Sequence, residues 1–391
     1  MDLFSDIVEK LDSGLEVKDE SALSYYYIPR EIEFRDEQIR EIVKGIWPVT
    51  KGGFAHNLAL VGDTGTGKTL TIRYVLKKYR EEYGINSVYF DGDHTTYQFL
   101  TEIAEAMGCE LPKGKLSNSM VHGVIADRLN GSEEKIVIAF DEVETYFEEK
   151  QNDLFTTLLK GNGGRVSIVI ITNAIDRVVQ AFTPAFQSIT QFTAIHYPKY
   201  TTDELEIILE KRAAIALAEK GLDEGVARYI AGVVAAENGD ARFALLVLSK
   251  AVDLTRSAGQ QSISVEVVRE AFKQAETEFL LMPLAKLSRI EQQVYLAVIE
   301  LSDKSDSDNE PVPRSKVLAA VNDERRGCGF HEYSASWMTD KFKRLEAGGH
   351  LLVTTQGRGR KKGVEWGVAV PPDVNHEAVK GRLYNLLGVE K

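Results

Sequence analysis

Short apolar runs alternate with amphipathic stretches over roughly the first half of the chain. Runs of this length that are almost continuously apolar are typical of strands buried on both faces of a parallel sheet. The stretches between them repeat apolar residues at helical spacing. This alternation predicts an α/β domain with a parallel sheet. The predicted strands are Asn57–Val61, Ser87–Phe90, Ile136–Phe140 and Val166–Thr172. Three main helices are predicted: one that ends near Trp47, one over Leu70–Tyr79 and one over Thr95–Met107.

The pattern changes at Thr201. Thr201-Thr202-Asp203-Glu204 is a capping box, the usual beginning of a helix, and helical periodicity continues to about Glu278 without a strand signal. A second capped helix is predicted over Ala241–Ala258, with Asp240 as its N-cap. This part of the chain is therefore predicted to be an all-α domain.

The C-terminal part predicts three helices followed by a β-hairpin. The helices are Leu284–Leu301, Arg314–Val321 and Ser334–Gly348, and the two β-rich runs are Leu351–Thr355 and Gly363–Val370. The connection between these runs is strongly basic, with Arg358, Arg360, Lys361 and Lys362. Three helices and a basic hairpin in this order indicate a winged helix-turn-helix, in which the hairpin is the wing.

The fold is therefore predicted as α/β, with a parallel-sheet base, an all-α lid and a C-terminal winged helix-turn-helix domain. The expected boundaries are 1–24 for a flexible N-terminal extension, 25–198 for the base, 199–282 for the lid and 283–391 for the winged helix. A length of 391 residues agrees with more than one domain.

Composition restricts the class of protein. Hydrophobic residues make up 43% of the chain and charged residues 27%, and no apolar run approaches the roughly 18 residues that span a bilayer. Met1–Lys10 contains three acids and lacks the pattern of a signal peptide. The two cysteines, Cys109 and Cys328, are far apart, which predicts neither a disulfide framework nor a zinc site. We expect a cytoplasmic protein without a membrane partner.

Charge is distributed unevenly. The net charge is −12, yet residues 311–370 hold eleven Lys or Arg and six Asp or Glu. A protein that coats nucleic acid along its whole surface is not expected to be this acidic, but a local basic surface can still bind DNA. The winged part of the chain is the candidate for that surface.

The segment Gly62–Thr69 reads Gly-Asp-Thr-Gly-Thr-Gly-Lys-Thr and fills the phosphate-loop pattern G-x-x-x-x-G-K-[ST] between a predicted strand and a predicted helix. Glycines allow successive N–H groups to turn towards one point, where the helix N-terminus also attracts anions. Lys68 can reach the β- and γ-phosphates, and the Thr69 hydroxyl can bind Mg²⁺. The expected cofactors are ATP or ADP with Mg²⁺. The predicted nucleotide-binding residues are Gly62, Asp63, Thr64, Gly65, Thr66, Gly67, Lys68, Thr69 and Leu70.

Polar residues follow two other predicted strands. Asp141 and Glu142 end the run Ile136–Phe140, at the edge where open α/β sheets bind ligands. Asp141 is expected to hold Mg²⁺ together with Thr69, and Glu142 to orient or activate the attacking water. Asn173 follows Val166–Thr172 and can hold a water near the γ-phosphate, although a turn-capping asparagine is the alternative. Arg242, at the start of its helix, can reach a γ-phosphate or form a surface ion pair.

The helix Ser334–Gly348 has one apolar face, formed by Met338, Phe342 and Leu345. The opposite face is expected to be free and to contact DNA, as is the wing. The candidates are Thr339, Lys341, Lys343, Arg344, Arg358, Arg360, Lys361 and Lys362. Lys113 and Lys115, in a polar connector, are either DNA contacts or solvated lysines.

Together these motifs resemble the archaeal initiators of DNA replication, relatives of the eukaryotic origin recognition complex and its helicase-loading partner, within the AAA+ ATPases. The resemblance covers almost everything after Tyr25. It implies that Asn173 and Arg242 are the two nucleotide sensors and that Arg35 lies in the stretch leading into the ATPase, at the nucleotide. It also implies that Thr95–Met107 occupies the place of an added DNA-contacting helix.

One departure from the family concerns the arginine finger. The chain reads Thr183-Pro184-Ala185-Phe186 where the resemblance places an arginine, so Ala185 stands at the finger position. An arginine finger contributes strongly to phosphoryl transfer. We therefore expect slow ATP hydrolysis that serves as a conformational switch.

The resemblance implies an initiator that binds origin double-stranded DNA sequence-specifically and helps recruit the replicative helicase, associated with the nucleoid and with other initiator paralogues as further partners. Two alternatives remain open at this point. One is a transcriptional regulator whose DNA binding depends on nucleotide, and the other is an AAA+ ATPase whose winged helix binds protein.

Overall fold

The computed structural model describes residues 14–51, 53, 56–91, 95–112, 114, 116–131, 135–142, 165–181, 191–304, 311–327, 329–357, 364–372 and 374–389. The chain forms two compact units, Met1–Ala275 and Glu276–Lys391. Helices and strands are numbered below over the described residues.

The first unit contains a five-stranded parallel sheet with the strand order β2-β3-β4-β1-β5. The strands are β1 (Asn57–Val61), β2 (Asn86–Phe90), β3 (Ile136–Phe140), β4 (Val166–Thr172) and β5 (Phe192–His196). β1, β3 and β4 have the predicted bounds, since each consists mostly of buried apolar residues. β5 was not predicted. It lies at the sheet edge, where Thr193, Ala194 and His196 are exposed, so it lacks the apolar run of the others.

Successive residues of β1 contribute to two different cores. Leu58 and Leu60 face one core together with Ile42 and Ile72. Ala59 and Val61 belong to the other core, on the opposite face. Helices cover both faces of the sheet, as a buried parallel sheet requires. They are α1 (Asp36–Thr50), α2 (Lys68–Tyr83), α3 (Thr96–Ala106), α4 (Asn118–Gly131) and the short α5 (Ile175–Ala181).

The lid contains four helices: α6 (Thr202–Ala216), α7 (Val226–Glu237), α8 (Ala241–Ser257) and α9 (Val265–Leu281). The capping box at Thr201 and the N-cap at Asp240 are both present. Base and lid lie in the same compact unit.

The N-terminal segment was expected to be flexible up to residue 24, and this is wrong for residues 14–24. Leu15, Ala22 and Leu23 are buried. The Lys18 N–H donates to the carbonyl of Ala216 at 2.7 Å. These residues therefore pack on the lid, which the sequence could not reveal because the residues in contact are distant along the chain.

The second unit is a winged helix. Its helices are α10 (Arg289–Asp303), α11 (Arg314–Gly327), α12 (Ala335–Ala347) and α13 (His376–Leu387), and its strands are β6 (Val312–Pro313), β7 (Leu352–Gly357) and β8 (Val364–Ala369). The strands form an antiparallel sheet in the order β6-β8-β7. The predicted hairpin is present. α13 was not predicted, although its buried residues Val379, Leu383 and Leu387 recur every four positions.

Candidate functional site

The phosphate loop connects β1 to α2. Gly65 and Gly67 have φ of 71° and 88°, a left-handed conformation that glycine adopts without strain. The loop is closed by the Lys68 ammonium, which donates to the carbonyls of Gly62 and Asp63 at 2.7 and 2.6 Å. The Thr66 hydroxyl donates to the carbonyl of Asp63 at 2.7 Å. These residues form a compact turn at the N-terminus of a 16-residue helix, which suits a polyphosphate.

Arg35 lies beneath this loop. Its side chain donates to the carbonyl of Thr66 at 2.9 Å and to that of Pro198 at 2.9 Å, and its guanidinium lies 3.8 Å from the centre of the Tyr200 ring. Arg35 is only 1% exposed. The side chain therefore supports the phosphate loop through the Thr66 carbonyl, and the expectation that Arg35 contacts the nucleotide stays a prediction.

Thr69 and Asp141 lie side by side at the mouth of the loop. The Thr69 hydroxyl donates to Asp141 Oδ2 at 2.5 Å. Asp141 is 8% exposed, and the backbone N–H of Glu142 donates to its other carboxylate oxygen at 2.9 Å. A hydroxyl and a carboxylate in contact beside a phosphate loop are the donor set expected for Mg²⁺ bound to a nucleotide.

Tyr89 joins this group and was missed by the sequence analysis. Its hydroxyl donates to Asp141 Oδ2 at 2.6 Å. Tyr89 lies on β2, and β2 and β3 are neighbouring strands in which Tyr89 pairs with Ala139. Only the strand order brings Tyr89 to Asp141, so no local pattern could have identified it.

The strand register brings the remaining base residues to one edge of the sheet. Val61 pairs with Thr172, and Phe140 pairs with Ile170. Because β4 lies between β3 and β1, Asn173 follows β4 between the acidic pair and the phosphate loop. Glu142 has φ of 51°, an uncommon conformation for a side chain of this kind. An unusual backbone at the end of a central strand is typical of a functional residue.

The lid contacts the phosphate loop through the start of α8. The Ala241 N–H donates to the carbonyl of Gly65 at 3.3 Å. A Cβ added at Gly65 would lie 1.8 Å from Asp240 Oδ1, so the lid packs directly on this glycine. The Asp240 carboxylate in turn accepts from the Arg242 side chain at 3.1 and 2.7 Å.

Arg242 forms an ion pair with Asp240 and is close enough to Glu142 for their charges to interact. Burial alone would lower the pKa of its guanidinium, but the hydrogen bond and charge of Asp240, together with the nearby Glu142 carboxylate, raise that pKa. The lid arginine therefore stays charged and lies close to the acidic end of β3. Lys68, Thr69, Asp141, Glu142, Asn173 and Arg242 are thus brought to one region by the base and the lid.

In the winged unit, α12 buries the predicted face. Met338, Phe342 and Leu345 are all at most 1% exposed. The residues on the opposite side of α12 differ in solvent exposure, whereas all of them are predicted to be exposed. Lys343 is exposed, whereas Thr339 is half-buried and its hydroxyl donates to the carbonyl of Ala335 at 2.9 Å.

The prediction that Lys341 and Arg344 share a free face is wrong. The side chain of Lys341 is only 15% exposed, and its ammonium lies 3.1 Å from Glu291 Oε1 on α10. Arg344 lies 3.6 Å from the same oxygen. Burial would raise the pKa of Glu291, but hydrogen bonds from Ser288 and Lys341 outweigh it and lower that pKa. Both cations are therefore engaged with α10.

The turn before α12 is fixed by residues of α11. Asn322 accepts from the Tyr333 N–H at 2.8 Å and donates to the Tyr333 carbonyl at 3.1 Å. The Arg325 guanidinium lies 3.8 Å from the Tyr333 ring centre, and that ring stacks on Trp337 at 3.7 Å. The beginning of α12 is therefore held rigidly on α11.

Several predicted contacts lie outside the described residues: Arg358, Arg360, Lys361, Lys362, Lys113, Lys115 and the Thr183–Ser188 segment. Helix α3, expected to contact DNA, carries Glu102 and Glu105 and no Lys or Arg. Electrostatic attraction to phosphates must therefore come from residues outside this helix. In the described part of the chain, no helix is both long and apolar enough to cross a membrane.

Two segments of the chain match known domain families. Residues 55–177 match the AAA domain, and residues 206–273 match the Cdc6 AAA+ ATPase-type lid domain. The first segment contains the phosphate loop, the acidic pair and Asn173, and the second contains Arg242. The matches agree with the predicted division into base and lid.

Curated relatives are similar over nearly the whole chain. The ORC1-type DNA replication protein 1 of Sulfurisphaera tokodaii is 27% identical over 367 residues, which cover 92% of this chain and 91% of the relative. The ORC1-type DNA replication protein 1 of Sulfolobus acidocaldarius is 26% identical over 388 residues, which cover 97% and 96%.

Solved structures agree. The Aeropyrum pernix ORC1 protein in complex with DNA has a TM-score of 0.72 and 25% identity, covering 94% of this chain and 97% of that one. Cdc6p from Pyrobaculum aerophilum has a TM-score of 0.61 and 21% identity, covering 95% and 98%. The predicted fold, a parallel-sheet AAA+ base with a helical lid and a winged helix, is confirmed.

Proposed function

We propose that this chain is an archaeal replication initiator of the origin recognition complex and Cdc6 family, that it binds origin double-stranded DNA sequence-specifically in an ATP-dependent manner, and that it helps recruit the replicative helicase. A role as a replication initiator follows from the family. Sequence-specific binding to the origin and recruitment of the helicase go beyond this role and are proposals.

The observation that carries the proposal is the contact between the lid and the phosphate loop. Asp240 and Ala241 lie against Gly65, and Arg242 lies near Glu142. A nucleotide held by Lys68 from the base and Arg242 from the lid would contact both parts at once. ATP would thus favour one arrangement of the two parts, as expected of a conformational switch.

The nucleotide fits the residues present. The loop glycines and the start of α2 supply N–H donors for phosphates, Lys68 supplies a charge, and Thr69 with Asp141 supplies oxygen ligands for Mg²⁺. Thr69 and Asp141 would hold Mg²⁺, which when bound would supply positive charge against the negative charge that develops on the phosphates. Glu142 would orient the attacking water, Asn173 would hold it near the γ-phosphate, and Arg242 would stabilise charge on the transferred group.

DNA binding is proposed for the winged unit. Support comes from its helix order, the basic wing sequence and the relative solved with DNA. Lys343 and Thr339 on α12 are proposed to approach the bases. Arg358, Arg360, Lys361 and Lys362 are proposed to contact sugar and phosphate.

A direct test measures affinity for an origin-repeat duplex and for a scrambled duplex of equal length, with ATP and Mg²⁺ or with neither. We expect tighter binding to the origin duplex and a dependence on nucleotide that Lys68→Ala removes. Equal affinity for both duplexes in every condition would contradict sequence-specific binding and favour a winged helix that binds protein. Specific binding confined to promoter sequences would favour a transcriptional regulator.

Hydrolysis is proposed to be slow because Ala185 stands where the resemblance places the arginine finger, which one subunit would otherwise supply to the nucleotide of its neighbour. We expect the rate per molecule to stay constant as protein concentration rises. Glu142→Gln should bind ATP at native affinity but turn it over at least tenfold more slowly, as expected for loss of a positioned base. A steep rise of specific ATPase activity with protein concentration would contradict the proposal that neighbouring subunits do not activate hydrolysis.

A further inference from the structure

Tyr89 belongs to no nucleotide motif, yet its side chain contacts Asp141. Three donors from three places in the chain meet at this carboxylate. Thr69 and Tyr89 donate through their hydroxyls to Oδ2, at 2.5 and 2.6 Å, and the N–H of Glu142 donates to Oδ1 at 2.9 Å. The carboxylate is almost completely buried, so these donors determine its orientation.

The Tyr89 hydroxyl donates to Asp141 from β2, a strand of the sheet. The Tyr89 ring is also held in place, with the Arg73 guanidinium of α2 at 5.6 Å from the ring centre. A donor fixed on a strand of the sheet can therefore orient Asp141 independently of any movement in the phosphate loop.

We propose that Tyr89 is a positioning residue for the magnesium nucleotide: it orients the Asp141 carboxylate so that Mg²⁺ strengthens nucleotide binding. This inference rests on the proposed ATP site. Tyr89 acts through Asp141 and touches neither the nucleotide nor the metal. Oxygen ligands of a metal bind it well only when outer hydrogen bonds hold them in place, and loss of such a partner typically weakens metal affinity by about 10- to 100-fold.

The test uses Tyr89→Phe in the full chain, which removes the hydroxyl and keeps the ring. The affinity for a fluorescent ATP analogue is measured over a Mg²⁺ titration and in EDTA. We expect the Mg²⁺ concentration for half-maximal tightening to rise roughly tenfold, while the affinity in EDTA stays unchanged. An unchanged Mg²⁺ titration would overturn the proposal.

Tyr79→Phe is the matched control. The Tyr79 hydroxyl is also buried and donates to the carbonyl of Val43 at 3.0 Å, away from Asp141. This variant should lower the unfolding temperature without changing the Mg²⁺ titration. If Tyr79→Phe shifted the Mg²⁺ midpoint as much as Tyr89→Phe, a general loss of stability would explain the effect and the positioning role would be rejected.

A second comparison separates a role through Asp141 from other roles. In an Asp141→Asn background, Tyr89→Phe should produce no additional change in the Mg²⁺ midpoint, because the carboxylate that it orients is gone. An additive effect of the two substitutions would contradict the proposal. If the native chain itself shows no Mg²⁺-dependent binding of ATP, the proposed nucleotide function fails first, which is a distinguishable outcome.

Discussion

At the scale of single residues, Gly65 connects the phosphate loop to the lid. Its φ of 71° favours glycine, and the Asp240 carboxylate occupies the space that a side chain would need. Gly65→Ala should therefore displace the lid and weaken ATP binding by at least tenfold. Titration calorimetry with ATP and Mg²⁺ measures this effect.

Gly84 provides the matched control for Gly65. It also has a positive φ, of 62°, but a Cβ added there meets nothing within 4 Å. Gly84→Ala should cost about 1 kcal/mol of stability and leave ATP affinity unchanged. Adding Asp240→Ser to Gly65→Ala should restore part of the affinity, because serine keeps the helix cap with a shorter side chain. Without any such recovery, the contact with Asp240 would not be the cause.

The residue scale also separates what the sequence could predict from what it could not. The phosphate loop, Asp141, Glu142 and Arg242 follow from local motifs, and the structure brings their elements together. The resemblance places Arg35 at the nucleotide, and the helical pattern places Lys341 on a free face, yet both side chains are buried against parts of the chain that are distant in sequence. Such pairings depend on tertiary packing, which a local pattern does not contain.

At the scale of elements, Glu291 ties α12 to α10. Its pKa is lowered in the folded state, so its contribution to stability is present above the unfolded pKa near 4.3 and is lost as pH falls through the folded value. Glu291→Gln should destabilise the winged unit by about 1–3 kcal/mol near pH 7 and by much less near pH 3. Denaturant unfolding at several pH values measures the difference.

Glu377→Gln serves as the comparison in the same unit. The Glu377 side chain is 74% exposed, and ion pairs of such side chains contribute little to stability. We expect nearly equal unfolding free energies for this variant and the native chain at every pH. An equal destabilisation by Glu291→Gln at pH 7 and pH 3 would contradict the ionic role of Glu291.

Substitutions in α12 and substitutions in the wing should change DNA binding in different ways. Replacing Thr339 and Lys343 by alanine should cost about 1–3 kcal/mol on the origin duplex for each base interaction that is removed, and little on a scrambled duplex. Replacing Arg358, Arg360 and Lys361 should weaken binding to both duplexes and reduce the salt dependence, by about 0.9 in the log–log slope for each phosphate that is no longer neutralised.

Titrations of both variants on both duplexes at several salt concentrations distinguish the two elements. If the α12 variant left the ratio of origin to scrambled affinity unchanged, this helix would not read sequence. The winged unit would then be a phosphate clamp or a protein-binding surface.

At the scale of the whole molecule, the chain divides into two compact units, each with its own core. A fragment from Met282 onwards, after the end of α9, should fold cooperatively and bind duplex DNA more weakly than the full chain. The complementary fragment should bind ATP. Circular dichroism melting and duplex titrations test both expectations.

If the winged fragment folds but binds no duplex at moderate salt while the full chain does, the dominant contacts lie in the first unit. Residues 95–119 would then be the first candidates for substitution. Since helix α3 carries no Lys or Arg, substitutions in the connector with Lys113 and Lys115 would be the more informative ones.

Most of the architecture could be predicted because its elements carry strong local signals. The strands β1, β3 and β4 are mostly apolar, and the lid helices α6 and α8 begin after capping residues. The edge strand β5 and the docked N-terminal segment could not be predicted, because both are stabilised by residues far away in the sequence. Helix α13 was not predicted, although its apolar residues recur at helical spacing.

The docking of the N-terminal segment limits how the lid can move. The chain passes between lid and base twice: once where Arg212 of α6 binds the carbonyls of Ala22 and Tyr27 ahead of Arg35, and again just before Thr201. Because the lid is joined to the base at two points, we expect nucleotide-dependent motion of the lid to be smaller than it would be with a single connection. An N-terminal truncation that removes the first crossing would release that constraint while leaving every residue of the phosphate loop in place.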